Sequence, residues 1–368
     1  MPTPIMIETG TEVEAMGAEA GGMHALVYHG PGAMAWESKP KPALLEASDA
    51  IVRITTSTIC GTDLHIAKGD MPEVADGRIL GHEGVGVVVE AGAGVAKFRE
   101  GDRVLISCIT SCGGCAFCRK ALYSRCSRGG WILGHTIDGT QAEYVRIPHA
   151  DNSLYAVPEG VDEEAMVMLS DVLPSGFECG VFKGRVKPGD RVAVVGSGPV
   201  GLAAVLTARL YSPQEILFID TDPARLETAR SFGATRTFNN RDGKAAQKVL
   251  DATGVTGVDV AIAAAGFPEI LELCRGIVAA GGHIAHVGAH CGPSIPPARD
   301  EFLDRNVTVS TDRVDTSGIP VLVKVLAAGL RDAQKKGRHR CALGEVVQAY
   351  GIFGQAAKER ALKVILKG

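Results

Sequence analysis

The sequence predicts an α/β fold in two parts, an all-β first part and a doubly wound parallel sheet. Three observations carry this. Between residues 191 and 310, short apolar strands alternate with helical stretches. A Gly-x-Gly-x-x-Gly run lies between the first of these strands and its helix. Before residue 150, the apolar stretches instead alternate with strand period and are separated by glycine turns.

With 368 residues, two domains are expected. A 46% apolar and 22% charged composition is that of a soluble globular chain, and 46 glycines imply many tight turns. Formal net charge is -4, and Glu8, Glu12, Glu14 and Glu19 account for all of it, leaving -4 minus -4, zero, for the rest. No basic field recruits nucleic acid or an anionic membrane. No apolar run approaches the ~20 residues of a bilayer span. Residues 1–22 lack periodicity and a secretory pattern and read as a disordered extension, so a cytoplasmic setting is expected. Ten cysteines in a chain of this length read as metal binding rather than as disulfides.

In order, Met23 to Tyr28 and Ala50 to Thr55 read as strands, the second delivering the chain to Cys60. Gly84 to Glu90 is a β-branched run whose glycines imply close backbone approach. Glu100-Gly101-Asp102 is a turn, and Arg103 to Ser107 a further strand. Cys112, Cys115, Cys118 and Cys126 follow with spacing C-x2-C-x2-C-x7-C. Four thiolates this close can enclose one zinc with no open position, which makes the site structural; an iron–sulfur cluster is the rival reading. Val161 to Met168 reads as a helix start. Arg191 to Val195 is the strand before Gly196-Ser197-Gly198-Pro199-Val200-Gly201, and Leu202 to Leu210 the helix after it. The first glycine allows the turn, the second the approach of a pyrophosphate, and the third the packing of helix on strand. The next strand, Ile216 to Ile219, ends at Asp220, whose carboxylate suits ribose hydroxyls and repels a 2′-phosphate, favouring NAD over NADP. Arg225 contacts the same ribose or pairs with Asp222. Helices are expected at 224–232, 244–253 and 268–278, and strands at 235–238, 258–263, 283–287 and 307–310. Backbone near Gly266, Val287 and Gly288, at strand C-terminal ends, is expected to meet the nicotinamide half. Leu322 to Leu330 reads as a helix, Lys335 to Arg340 as a solvated basic loop, and Ala361 to Leu366 as a last strand.

The chemistry centres on Cys60-Gly61-Thr62-Asp63-Leu64-His65 and Gly81-His82-Glu83. Cys60 and His82 are ligand types that zinc accepts, and a catalytic zinc keeps three protein ligands and one open position. Asp171 is the best third candidate; its alternative is a helix N-cap. Glu83 either orients these ligands or competes for the open position. Thr62 offers a hydroxyl and His65 an imidazole for carrying a proton away. Trp131 is either core or the wall of a substrate pocket, and His135 reads as structural.

Gly81-His82-Glu83-Gly84-Val85-Gly86, followed by Gly92, matches the zinc signature of the medium-chain dehydrogenase/reductase superfamily. From Met23 onward the chain resembles its zinc-dependent alcohol dehydrogenases. The resemblance implies a GroES-like catalytic domain over 23–173, a Rossmann domain over 174–310, and a segment, 311–368, that returns to complete the first. It implies a catalytic zinc on Cys60, His82 and Asp171, a structural zinc on the four cysteines, and NAD. It also implies a proton relay through Thr62 and His65, bridged by the nicotinamide ribose, and a basic contact from Lys363 near the pyrophosphate. Asp at 171 rather than Cys resembles the bacterial tetrameric secondary-alcohol enzymes, in which a Trp placed as Trp131 is lines the pocket. The expected activity is reversible hydride transfer between NAD and an alcohol, in a homotetramer or, second, a dimer. Polyols or a hemithioacetal are the close alternatives; a non-catalytic nucleotide sensor is the distant one. The family's Thr-His-Arg-aromatic segment is replaced here by Arg338-His339-Arg340-Cys341.

Overall fold

The computed structural model describes residues 21–196, 198–287, 299–329 and 338–368. They form two compact units: one takes the chain up to Asp171 and again from Asp315, the other Val172–Val314. The divisions fall at 171/172 and 314/315, against expected boundaries at 173/174 and 310/311. Gly22, expected in the extension, already belongs to the first strand, while residues 1–20 lie outside the described residues.

The first unit begins with strands β1 (Gly22–Tyr28), β2 (Met34–Pro40), β3 (Ala50–Thr58), β4 (Arg78–Ile79), β5 (Gly84–Ala91), β6 (Arg103–Ile106), β7 (Tyr144–Ile147) and β8 (Leu154–Ala156). Helix α1 (Gly61–Lys68) follows β3. The second unit carries β9 (Arg191–Val195), β10 (Glu215–Asp220), β11 (Arg236–Asn239), β12 (Val258–Ala263), β13 (Val278–His286) and β14 (Thr308–Thr311). Its helices include α2 (Pro199–Ala208), α3 (Pro223–Phe232), α4 (Ala245–Ala252) and α5 (Pro268–Ile277). The chain returns to the first unit with α6 (Ile319–Ala327), β15 (Arg338–Ala342), α7 (Val346–Gly354) and β16 (Lys363–Lys367).

In the first unit β15-β16-β3-β5-β6-β8 form one sheet, with β7 also on β3, and β2-β1-β4 form a small second sheet. The alternation in Ala50–Thr58 buries nearly every residue because β3 is flanked by β5, β7 and β16. Gly86 on β5 has no room for a side chain, since a Cβ there would lie 2.2 Å from the carbonyl oxygen of Arg53. One apolar core gathers Leu26, Ile59, Ile66, Leu80, Tyr350, Val364 and Leu366; another gathers Val52, Val88, Val104, Ile106 and Val145.

In the second unit β11-β10-β9-β12-β13-β14 form a single parallel sheet. This is the expected doubly wound order, with helices satisfying the burial of both faces. Gly233 ends α3 in the left-handed conformation, as its position just after the helix predicts.

Two readings are corrected. Arg338 to Arg340, expected in a solvated loop over Lys335 to Arg340, open the strand Arg338–Ala342, which pairs in parallel with β16; Lys335 to Gly337 lie outside the described residues. Arg340 is fixed by both oxygens of Glu164, at 2.8 and 3.1 Å from Nε, so its charge is paired rather than free. The helix expected at 322–330 starts earlier, at Ile319, with Pro320 in its first turn. Thr62 to His65 lie in a helix that no apolar stripe announced; its ends are set by Asp63, which folds back on Cys60, and by left-handed Gly69.

Candidate active site

Strand β3 ends one residue before Ile59, which is fully buried, and Cys60 then caps α1. Asp63 fixes this corner. Its Oδ2 accepts the backbone N–H of Cys60 at 2.8 Å and the amide of Gln141 at 3.2 Å, and its Oδ1 lies 3.3 Å from Nδ1 of His82. With Nδ1 turned to Asp63, Nε2 of His82 is left for Asp171, whose Oδ2 lies 3.4 Å away. The same Oδ2 lies 3.4 Å from Sγ of Cys60. The three ligand atoms are thus all within 4.8 Å of one another.

Electrostatics suit a cation at this point. Burial pushes the Cys60 thiol up, and the Asp171 carboxylate adds to it. Burial alone would lower His82, but Asp63, Asp171 and Cys60 together hold it well above its ordinary value. A sulfur, an imidazole nitrogen and a carboxylate oxygen converging with an excess of negative charge form a donor set that fits zinc.

Glu83 is fully buried on the other side of His82 in the chain. Its Oε2 receives the Thr58 hydroxyl at 2.8 Å and the Lys363 ammonium at 2.5 Å, while its Oε1 has no hydrogen-bond partner among the described residues. Lys363, expected near a pyrophosphate, is instead spent on this carboxylate, with its side chain only 4% exposed. Sequence reasoning missed that pair, and also Gln141, Tyr350 and Cys108. Gln141 bridges Asp63 to the hydroxyl of buried Tyr350, which donates to it at 2.8 Å. Cys108 is buried with Sγ 3.6 Å from Oδ1 of Asp171. None of these carries a spacing signal, because each partner is distant in the chain.

Thr62 and His65 lie one turn apart on α1, hence on one face of it. The Thr62 hydroxyl is 3.9 Å from Sγ of Cys60; Nδ1 of His65 is 2.7 Å from Asp70 at the exposed end. Trp131 is half-buried, with its ring edge-on to His82 at 6.3 Å and stacked on His135 at 4.3 Å. It therefore packs on the core and stands beside the ligand set at once. His135 is no part of the ligand group; its Nε2 is 3.2 Å from Glu73.

Cys112, Cys115, Cys118 and Cys126 form a second group with all four sulfurs within 4.8 Å, and all four are free thiols. Backbone N–H groups point at the sulfurs: Cys112 to Cys126 at 3.3 Å and Cys118 to Cys115 at 3.5 Å. Such donors, with Ser127, pull Cys115 down to about 5, whereas burial pushes Cys118 up to about 12. A tetrathiolate with preset N–H···S bonds fits a structural zinc. Ser124 ties the lobe to Asp315 through its N–H and hydroxyl, at 2.8 and 2.7 Å.

In the second unit, Gly196 follows β9 with φ +104°, and Gly198 caps α2, with Pro199 and Val200 its first residues. A Cβ on Gly201 would lie 2.0 Å from the carbonyl oxygen of Gly196, so only glycine lets helix meet strand here. A Cβ on Gly198 would meet nothing within 4 Å, which leaves open the approach a pyrophosphate needs. Asp220 ends β10 with Oδ1 accepting the N–H of Asp222 at 2.8 Å, and Arg225 lies 3.9 Å from Asp222. Gly266 follows β12 and Val287 follows β13, both at strand C-terminal ends; Ser197 and Gly288 lie outside the described residues.

Two families match the chain: the alcohol dehydrogenase GroES-like domain over residues 46–159 and the zinc-binding dehydrogenase over residues 199–326. Zinc-type alcohol dehydrogenase B of Aspergillus flavus is 34% identical over 94% of this chain and 81% of its own length. An alcohol dehydrogenase of Cupriavidus necator is 33% identical over 94% and 98%. The apo form of zinc-dependent alcohol dehydrogenase 2 from Streptococcus pneumonia is similar in structure, with a TM-score of 0.89 and 47% identity over 94% and 98% of the two chains. With a GroES-like first unit, a Rossmann second unit and both cysteine-bearing ligand groups in place, the chain belongs to the zinc-dependent alcohol dehydrogenases of the medium-chain dehydrogenase/reductase superfamily.

Proposed function

We propose that this alcohol dehydrogenase uses two zinc ions per chain, one held by Cys60, His82 and Asp171 and one by the four cysteines, and prefers NAD to NADP. The observation that carries the first assignment is the single oxygen, Oδ2 of Asp171, placed 3.4 Å from both Cys60 Sγ and His82 Nε2. Bound zinc supplies a Lewis acid that acidifies an alcohol and polarises a carbonyl, and bound nicotinamide supplies the hydride acceptor. The chain supplies the rest. Asp63 holds the imidazole so that Nε2 is the ligating nitrogen. The Thr62 hydroxyl both accepts and donates, and takes the proton released from the alcohol towards His65. His65, on the same helix face and a third exposed, hands it to solvent beside Asp70. Lys363 and Thr58 fix the Glu83 carboxylate by its Oε2 beside the ligand set. Trp131 walls the pocket beside His82.

On the second unit, Gly196, Gly198, Pro199, Val200 and Gly201 cradle the pyrophosphate and Asp220 receives the ribose hydroxyls, with Arg225 at hand. Gly266, Val287 and Gly288 meet the nicotinamide half. A homotetramer, with a dimer as second choice, and a cytoplasmic setting complete the reading. No single helix among the described residues is long and apolar enough to cross a membrane.

The test is reduction of NAD by the zinc-loaded chain with primary alcohols, secondary alcohols, polyols and thiol adducts, beside zinc analysis of Asp171→Ala. Turnover with primary or secondary alcohols and loss of one of two zincs support the reading. Two zincs retained in Asp171→Ala would sink the ligand assignment, and turnover with polyols or thiol adducts alone would replace the substrate class. Asp220→Ala loses charge-assisted bonds of about 1.5–3 kcal/mol, so preference for NAD should fall by about 10–100-fold.

A further inference from the structure

We propose that Cys108 is a positioning residue for the metal centre: its thiol donates to Oδ1 of Asp171 and so presents Oδ2 as the one ligating oxygen. This rests on the assignment of Asp171 as a ligand and goes beyond it, because it says what decides whether the centre stays open.

The two oxygens of Asp171 face different neighbours. Oδ2 lies 3.4 Å from both Sγ of Cys60 and Nε2 of His82, and Oδ1 lies 3.6 Å from Sγ of Cys108. An ionised carboxylate only accepts hydrogen bonds, so the thiol is the donor in this contact. Cys108 does not belong to the ligand group of three, so it acts on Asp171 from outside that group. It is 2% exposed, and its backbone N–H donates to the carbonyl oxygen of Ser170 at 3.1 Å. Ser170 in turn accepts the N–H of Gly84, two residues after His82, at 3.1 Å. Cys108 therefore reaches Asp171 from backbone that is latched to the residue before it, and that residue is latched to the strand behind His82.

The chemical consequence concerns coordination number. A carboxylate binds a metal through one oxygen or both. Through both, Asp171 would occupy the position that a catalytic zinc keeps for substrate. An oxygen engaged by a thiol S–H is turned away from that position. Outer groups of this kind typically change metal affinity by about 10–100-fold when removed.

The test compares Cys108→Ala, which removes the donor, with Cys108→Ser, which keeps one, in the full chain. Zinc affinity of the Cys60 site is measured by competition with a chelator, and the visible spectrum is recorded after cobalt(II) replaces that zinc. Cys108→Ala should bind about 10–100-fold more weakly, and its cobalt bands should weaken as coordination rises above four. Cys108→Ser should stay close to the parent in both. Retention of the four-cysteine zinc and of tryptophan emission shows that the fold is intact. Should Cys108→Ala fail to fold, Cys108→Val, which fills the space without a donor, takes its place against Cys108→Ser. Parent-like affinity and spectrum in the donor-free variant overturn the proposal. If Asp171→Ala keeps both zincs, the ligand assignment falls as well; if it loses one while Cys108→Ala changes nothing, only the role of Cys108 falls.

Discussion

Removing the ammonium of Lys363 should be among the most damaging single changes outside the metal ligands. Its Nζ is 2.5 Å from Glu83 Oε2, with side-chain exposures of 4% and 0%. Lys363→Met leaves a fully buried carboxylate with one hydroxyl donor, Thr58, and without its ammonium partner. Breaking one side of a buried pair costs about 3–5 kcal/mol. With a urea slope of about 2 kcal/mol per molar, the midpoint should fall by about 1.5–2.5 M. Both tryptophans, Trp36 and Trp131, lie in the first unit, so tryptophan emission follows the unfolding of that unit alone. The assay is urea unfolding of the zinc-loaded chain by emission, for Lys363→Met and for the pair Lys363→Met with Glu83→Gln. The double variant buries no unpaired charge and should recover most of the loss. A shift in the single variant below about 0.3 M, or a double variant as unstable as the single, would refute the reasoning.

Other consequences follow from the same geometry. Gly201→Ala, whose Cβ would lie 2.0 Å from a carbonyl oxygen, should destabilise the second unit, whereas Gly198→Ala, with open space around it, should fold normally and bind NAD more weakly. Thermal unfolding and NAD titration separate the two. Glu163 is held below the ordinary carboxylate range: burial would raise it, but Arg103, Thr55 and Thr56 outweigh that. A depressed carboxylate stabilises above its unfolded pKa of about 4.3, and the gain is lost as pH falls through the folded value. Glu163→Gln should therefore flatten the acid limb of the stability curve and leave the region above neutrality parallel to the parent.

The parallel sheet was legible because its central strands β9, β10 and β12 are apolar runs with helical stretches between them. The ligand set was legible as residue types, since Cys60 and His82 stand in recognisable local patterns. What escaped were partners fixed only by strand pairing. Arg338 to Arg340 read as solvated because their charges hide a strand whose hydrogen bonds come from β16. Lys363 reads as a basic contact near the pyrophosphate because nothing near it in the chain shows that β16 lies antiparallel to β3, which ends close to the Glu83 carboxylate. Asp63 differs: it lies three positions after Cys60, so the turn that binds them is local and readable.

That antiparallel pairing also sets an order of assembly. Glu83 and Lys363 are 280 residues apart, which at roughly 5–20 residues per second is a delay of roughly 15–55 s during synthesis. Within that interval the second unit is made as one uninterrupted stretch, while Thr56–Thr58 of β3 lack their partner strand and Glu83 its counter-ion. The arrival of β16 is thus the step that completes the Thr56–Thr58 edge and brings Lys363 to Glu83.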